Sequence, residues 1–159
     1  MSTLVENEIK ITRIFDAPRE LVWKAWTEPE HFKRWWGPKD FTCPFCEIDF
    51  RIGGKYLNCM RSPESKDFWT TGVYLEINPL ERIVYTDSFA DDKGNIVQAS
   101  YYGFPGDLGM EAIVTLTFEV YEDKTKITLQ HAGIPSGQFS NDTKLGWNEI
   151  FDKLAENLK

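Results

Sequence analysis

The chain has 159 residues, of which 27% are charged, 42% hydrophobic and 14% aromatic, with six tryptophans and a net charge of −7. A length of this order buries roughly 70% of its unfolded surface in one core without covalent staples, so residues 1–159 are expected to form a single domain. The acidic balance offers no basic footprint for nucleic acid, no apolar run approaches the roughly 18 residues of a membrane span, and three cysteines make no disulfide framework.

The N-terminal MSTLVENEIK has neither the basic start nor the apolar run of a signal peptide, which points to a cytoplasmic protein. ENEIKITRIF then alternates, with Ile9, Ile11 and Phe15 on one side, as a half-buried strand does. Helical spacing comes next at Leu21, Val22 and Ala25, with Asp16 as the expected cap and Pro18 near the first turn. Pro29 ends this helix or begins a second, short one over 29–36 that Gly37-Pro38 stops.

From about residue 40 to 132 the pattern is strand after strand: CEIDFRI, GKYLNCM, TTGVYLEI, RIVYTDSF, EAIVTLTFEVYE and KITLQHA, an antiparallel meander. Val114, Leu116, Phe118 and Val120 alternate before a polar turn at Glu122-Asp123-Lys124-Thr125, and Ile127, Leu129 and His131 share the apolar parity of the next strand. After the loop GIPSGQFSND, Leu145, Trp147, Ile150, Phe151, Leu154, Ala155 and Leu158 recur at three and four, predicting a C-terminal helix of about 18 residues. The expected fold is α+β: a curved antiparallel sheet of about seven strands, two short helices after strand 1, and a long C-terminal helix packed across the sheet. Such a sheet tends to leave a space beneath its helix, and concave apolar spaces are where small ligands bind.

Asp16-Ala17-Pro18 with Val22-Trp23 and Trp26, the stop Trp35-Trp36-Gly37-Pro38, Arg51 ahead of Gly53-Gly54, and Gly146-Trp147 in the last helix resemble, as a set, the Hsp 90 ATPase activator homologue family. That family is part of the START-like, Bet v 1-like (SRPBCC) helix-grip superfamily, and the resemblance runs over residues 8–158. It implies a helix-grip fold with an internal cavity between a seven-strand sheet and the terminal helix. By the same resemblance, the chain is similar to binders of lipids and other hydrophobic ligands, to polyketide cyclases and to chaperone co-factor domains.

Cys43-Pro44-Phe45-Cys46 has the spacing of a dithiol active site, but that chemistry needs its first thiol at a helix N-terminus. The segment after Cys46 alternates like a strand, so the pair reads as filler at a strand entrance. Cys59 completes no zinc site, and no metal or cofactor is expected. His31 reads as a solvated surface position and Trp35-Trp36 as packing for the short helices. The segment 91–110 is longer than ordinary connections and has the composition of a lid or interaction surface.

The expected function is enclosure of a small, mostly apolar molecule, with Trp69, Tyr85, His131 and Trp147 as ligand-binding residues because their elements form the cavity walls. The alternatives are a module that docks a chaperone or other protein, and a cyclase-like or hydrolytic enzyme, for which the sequence offers no catalytic residues. The Cys43–Cys46 pair should be silent: C43S/C46S should fold normally. Titration of either thiol near pH 7, or turnover in an insulin-reduction assay, would restore the redox reading.

Overall fold

The structure, a computed structural model, describes residues 8–104, 111–134 and 137–158. Seven strands form one antiparallel sheet: β1 (Glu8–Phe15), β2 (Thr42–Ile48), β3 (Lys55–Arg61), β4 (Asp67–Asn78), β5 (Arg82–Ala90), β6 (Ala112–Tyr121) and β7 (Lys124–Ala132). Their order across the sheet is β1-β7-β6-β5-β4-β3-β2, so the chain's first strand pairs with its last and the rest is a meander. Helices α1 (Arg19–Thr27) and α2 (Pro29–Phe32) connect β1 to β2, and α3 (Gln138–Asn157) closes the chain. No helix among the described residues is long and apolar enough to cross a membrane.

The alternation read in β1, β6 and β7 is the burial pattern except at Val120, which is 61% exposed where β6 runs out toward its turn. Ile9, Ile11, Phe15, Val114, Leu116, Phe118, Ile127 and Leu129 are all buried on the concave face, under the helices. Register supports this, because Ile11 faces Leu129 and Leu129 faces Leu116 across neighbouring strands. Phe151 and Leu154 of α3 are fully buried against this half of the sheet, with the Phe151 ring edge-on to Phe15 at 5.6 Å. Arg13 lies at the border of that contact. Its guanidinium reaches Asp152 at 2.6 Å and stands 5.7 Å from the centre of the Phe151 ring.

Trp35 is fully buried among Trp26 and Phe32, with its indole N–H donated to the Ala25 carbonyl at 3.2 Å. Gly37 comes shortly after at φ +104°, a conformation that side chains resist, and turns the chain out of the helix pair.

Several boundaries differ from the sequence reading. The N-cap position of α1 is Pro18, and no side chain caps it, so Asp16 does not have that role. α3 begins at Gln138 rather than after Asp142 and runs 20 residues, about 30 Å. Polar QFSND joins the helix because Gln138 pairs with Asp142 one turn on, and Phe139 packs edge-on against Phe104. Leu145, counted on the apolar face, is 60% exposed. β2 starts at Thr42 and so contains the cysteine motif, while Ile52 sits exposed in the β2–β3 turn. The β6–β7 turn is tighter than expected, since Tyr121 already pairs with Lys124; Thr125 is fully buried and donates to the Ala17 carbonyl at 2.7 Å.

Phe151→Ala should remove about 3–5 kcal/mol of stability from the roughly 5–15 kcal/mol typical of a domain. Urea unfolding measures this directly. A loss below about 1 kcal/mol would contradict the packing of α3 on the sheet.

Candidate functional site

The N-terminal half of α3 stands away from the sheet and leaves a cleft of about 530 Å³. Its helix wall is Phe139, Thr143, Gly146, Trp147 and Ile150, with Gln138 and Asp142 also lining it; its sheet wall is Met60, Phe68, Thr70, Asp87, Phe89, Ala112 and His131; and Trp36, Pro38 and Phe41 close one side. Lys153 pins that side in place: its ammonium donates to the carbonyls of Phe41 at 2.8 Å and of Trp36 and Pro38 at 3.4 Å each. Seven aromatic rings face the space, which is where the surplus of aromatic residues goes.

At the deep end, Trp147 donates its indole N–H to His131 Nδ1 at 3.0 Å. Indole nitrogen can only donate, so Nδ1 is the acceptor and the neutral imidazole carries its proton on Nε2. Burial holds the imidazole neutral, lowering its pKa to about 4. His131 Nε2 has no hydrogen-bond partner and lies 3.9 Å from Asp87 Oδ2.

Asp87 sits on the inward parity of β5 with Ile83, Tyr85 and Phe89, a position an acid occupies at a cost. Burial pushes its pKa up to about 6, partly opposed by the hydrogen bond it accepts from the Tyr56 hydroxyl at 2.7 Å. That hydroxyl also lies 3.1 Å from the Thr86 carbonyl. Gly72 makes the arrangement possible. It stands directly across from Tyr56, and a Cβ there would lie 2.7 Å from the Tyr56 ring and 1.8 Å from the Thr86 carbonyl oxygen.

Of the four residues expected from the sequence, the structure brings His131 and Trp147 into direct contact on the cleft wall. Tyr85 lies on the same concave face but lines a separate space of about 20 Å³, room for about one water molecule. Trp36 and Asp87 border both spaces. Trp69 does not reach the cleft: Phe68 and Thr70 take the inward positions of β4, and Trp69 turns to the opposite face, where its ring meets Phe45 at 5.5 Å. Phe68 and Trp69 are adjacent aromatics, so alternation alone does not say which faces in. Trp36 packs on the short helices as read, stacked on Phe32 at 4.7 Å, and also forms a wall of the cleft.

Asp87 and Tyr56 were missed, although an acid in step with apolar residues along RIVYTDSF is a readable signal. Segment 91–104 is tied to the sheet by Tyr102, whose hydroxyl donates to the Ala90 carbonyl and accepts the Trp69 backbone N–H; residues 105–110 of the expected lid lie outside the described residues. The thiols of Cys43 and Cys46 are pushed up by burial to about 11 and about 12, the opposite of a reactive thiolate. Among the described residues no group of acids, histidines and cysteines could hold a metal ion.

A curved sheet gripping one long helix, open at one end into an aromatic cleft, defines a helix-grip domain, a fold consistent with a ligand-binding or an interaction module. The profile of the family described as Activator of Hsp90 ATPase homolog 1-like protein matches residues 16–159, and the chain belongs to that family. Protein CV1439 from Chromobacterium violaceum is 30% identical, with 96% of each chain covered and a TM-score of 0.79. Protein NE0264 from Nitrosomonas europaea is 25% identical, covering 96% of this chain and 94% of its own at a TM-score of 0.76. An AHSA1 protein from Silicibacter pomeroyi, at 21% identity, shares the fold over 95% of this chain and 96% of its own with a TM-score of 0.77. No curated protein matches the chain.

Asp87 and His131 oppose each other in acid. A folded-state pKa of about 4 for His131 means that the unfolded chain takes up its proton first, so this term is fully present above about pH 6.5 and is lost as pH falls toward 4. A folded-state pKa of about 6 for Asp87 has the opposite sign: its term is present below the unfolded carboxyl value and lost as pH rises through 6. Asp87→Asn removes the second term. The variant should be more stable than the parent near pH 7 and lose that advantage near pH 4.5, as urea unfolding at the two pH values would show. An advantage independent of pH would mean that Asp87 titrates normally.

Proposed function

We propose that the protein is a cytoplasmic binder that encloses a small, mostly apolar molecule between the sheet and the N-terminal half of α3. The observation that carries this reading is the cleft itself. Its volume of about 530 Å³ falls in the range of small-molecule sites, roughly 300–1,000 Å³, and its walls are mostly aromatic and aliphatic with a few polar groups among them. Family membership supports the reading at the level of the fold. Trp147 and His131 are the proposed ligand contacts at the deep end, with Tyr85 behind the wall and Trp36 and Phe41 along the side.

Native mass spectrometry of freshly purified protein should show a retained small molecule. The neutral fluorophore N-phenyl-1-naphthylamine should bind saturably once that molecule is removed. Ala112 lies in the cleft directly across from Asp87. Ala112→Phe should fill the space and lower probe affinity by roughly tenfold or more, with the protein still folded by circular dichroism. No retained molecule together with no saturable probe binding would overturn the reading and favour docking of a protein partner.

A further inference from the structure

Binding in the cleft, the reading on which this inference rests, leaves the chemistry of the ligand's polar end open. Three observations at the deep end bear on it. His131 is 4% exposed, and its Nε2–H has no acceptor. The carboxylate of Asp87, 3.9 Å away, is too far to accept that hydrogen directly, and 28% of its side chain remains open. Among the described lining residues there is no lysine or arginine, while Asp87 and Asp142 are both acidic.

A donor and an acceptor separated by this distance suit one bridging atom. An oxygen about 2.8 Å from each would see them at roughly 90°, within the range a hydroxyl tolerates when it accepts one hydrogen bond and donates another. We infer that the cleft selects ligands whose polar end is a neutral hydroxyl, accepting from His131 Nε2–H and donating to Asp87 Oδ2. An ether or ketone could satisfy His131 but would turn a lone pair toward the carboxylate. A ligand carboxylate would bring a second negative charge beside Asp87 with no cation to meet it. An ammonium would suit Asp87 but leave the imidazole N–H facing another donor.

Nε2 is closed off from solvent while 28% of the Asp87 side chain is open, so a hydroxyl reaches Nε2 only as the side chains around it shift. Tyr56 holds the other carboxylate oxygen through its hydrogen bond to Oδ1 at 2.7 Å, leaving Oδ2 as the acceptor for the ligand. Neutrality of the imidazole, maintained by burial, keeps its single proton on the side that faces Asp87.

The test is a calorimetric comparison of four eight-carbon probes on the delipidated protein: 1-octanol, methyl octyl ether, octanoate and octylamine. Octanol should bind roughly tenfold or more tightly than each of the others. Asp87→Leu, which leaves Tyr56 the Thr86 carbonyl as its partner, should bring octanol down to the level of the ether. Equal affinities for octanol and ether in the parent protein, or tighter binding of octylamine or octanoate than of octanol, would overturn the hydroxyl assignment while the bound ether still upheld the apolar cleft. Binding of neither octanol nor ether would remove both.

Discussion

The structure depends on a mismatch of areas: a seven-stranded curved sheet has more concave surface than one helix can cover. α3 is committed to the β1 side of the sheet by Phe151 and Leu154, which bury fully there, and by Arg13 at the border. The rest of the concave face needs other cover. Part comes from the tryptophans and phenylalanines of α1, α2 and the segment after them, and part is left as the cleft. Space for a ligand is therefore a consequence of how the core is divided, and the tightness of one end of α3 makes the openness of the other tolerable.

Large rings allow a fold of this size to carry such a space. Each buries a large area, and Trp36 and Trp147 each brace against several other rings, so the walls of the cleft are held by ring-on-ring packing. Trp36 shows how closely structure and site are joined here. It stacks on Phe32 at 4.7 Å, packs edge-on against Trp147 at 5.5 Å, and borders both the inner space and the cleft. Lys153 contributes from the helix side, fixing the chain between Trp36 and Phe41 through backbone carbonyls, where the position of the wall counts rather than its sequence.

The polar end has a different physical basis. Asp87, Tyr56 and His131 come from three strands, and each depends on a neighbour that leaves room or sets a proton: Gly72 for the Tyr56 ring, Trp147 for the imidazole tautomer. Such groups cost stability when they are buried, and Asp87 and His131 are each shifted toward their neutral forms as a result. Within a mostly apolar concave face, they are groups whose placement packing alone does not explain.

The sequence by itself determined the order of elements, the antiparallel meander, the helix-grip family and the apolar faces of β1, β6, β7 and the second half of α3, because these rest on short-range periodicity and on local motifs such as Trp35-Trp36-Gly37-Pro38. It also argued against a redox role for the Cys43–Cys46 pair, because the strand after it offers no helix dipole. The tertiary structure decided the rest. Phe68 turned in and Trp69 out because β4 has one parity relative to β3, and pairing sets that parity where two aromatics are adjacent. QFSND became helix through the contact of Phe139 with Phe104, a residue far from it in the chain. The meeting of Trp147 with His131, and of both with Asp87, joins α3, β7 and β5. No local pattern encodes a distance between three elements, which exists only once the sheet has curved and the helix has settled on one side of it.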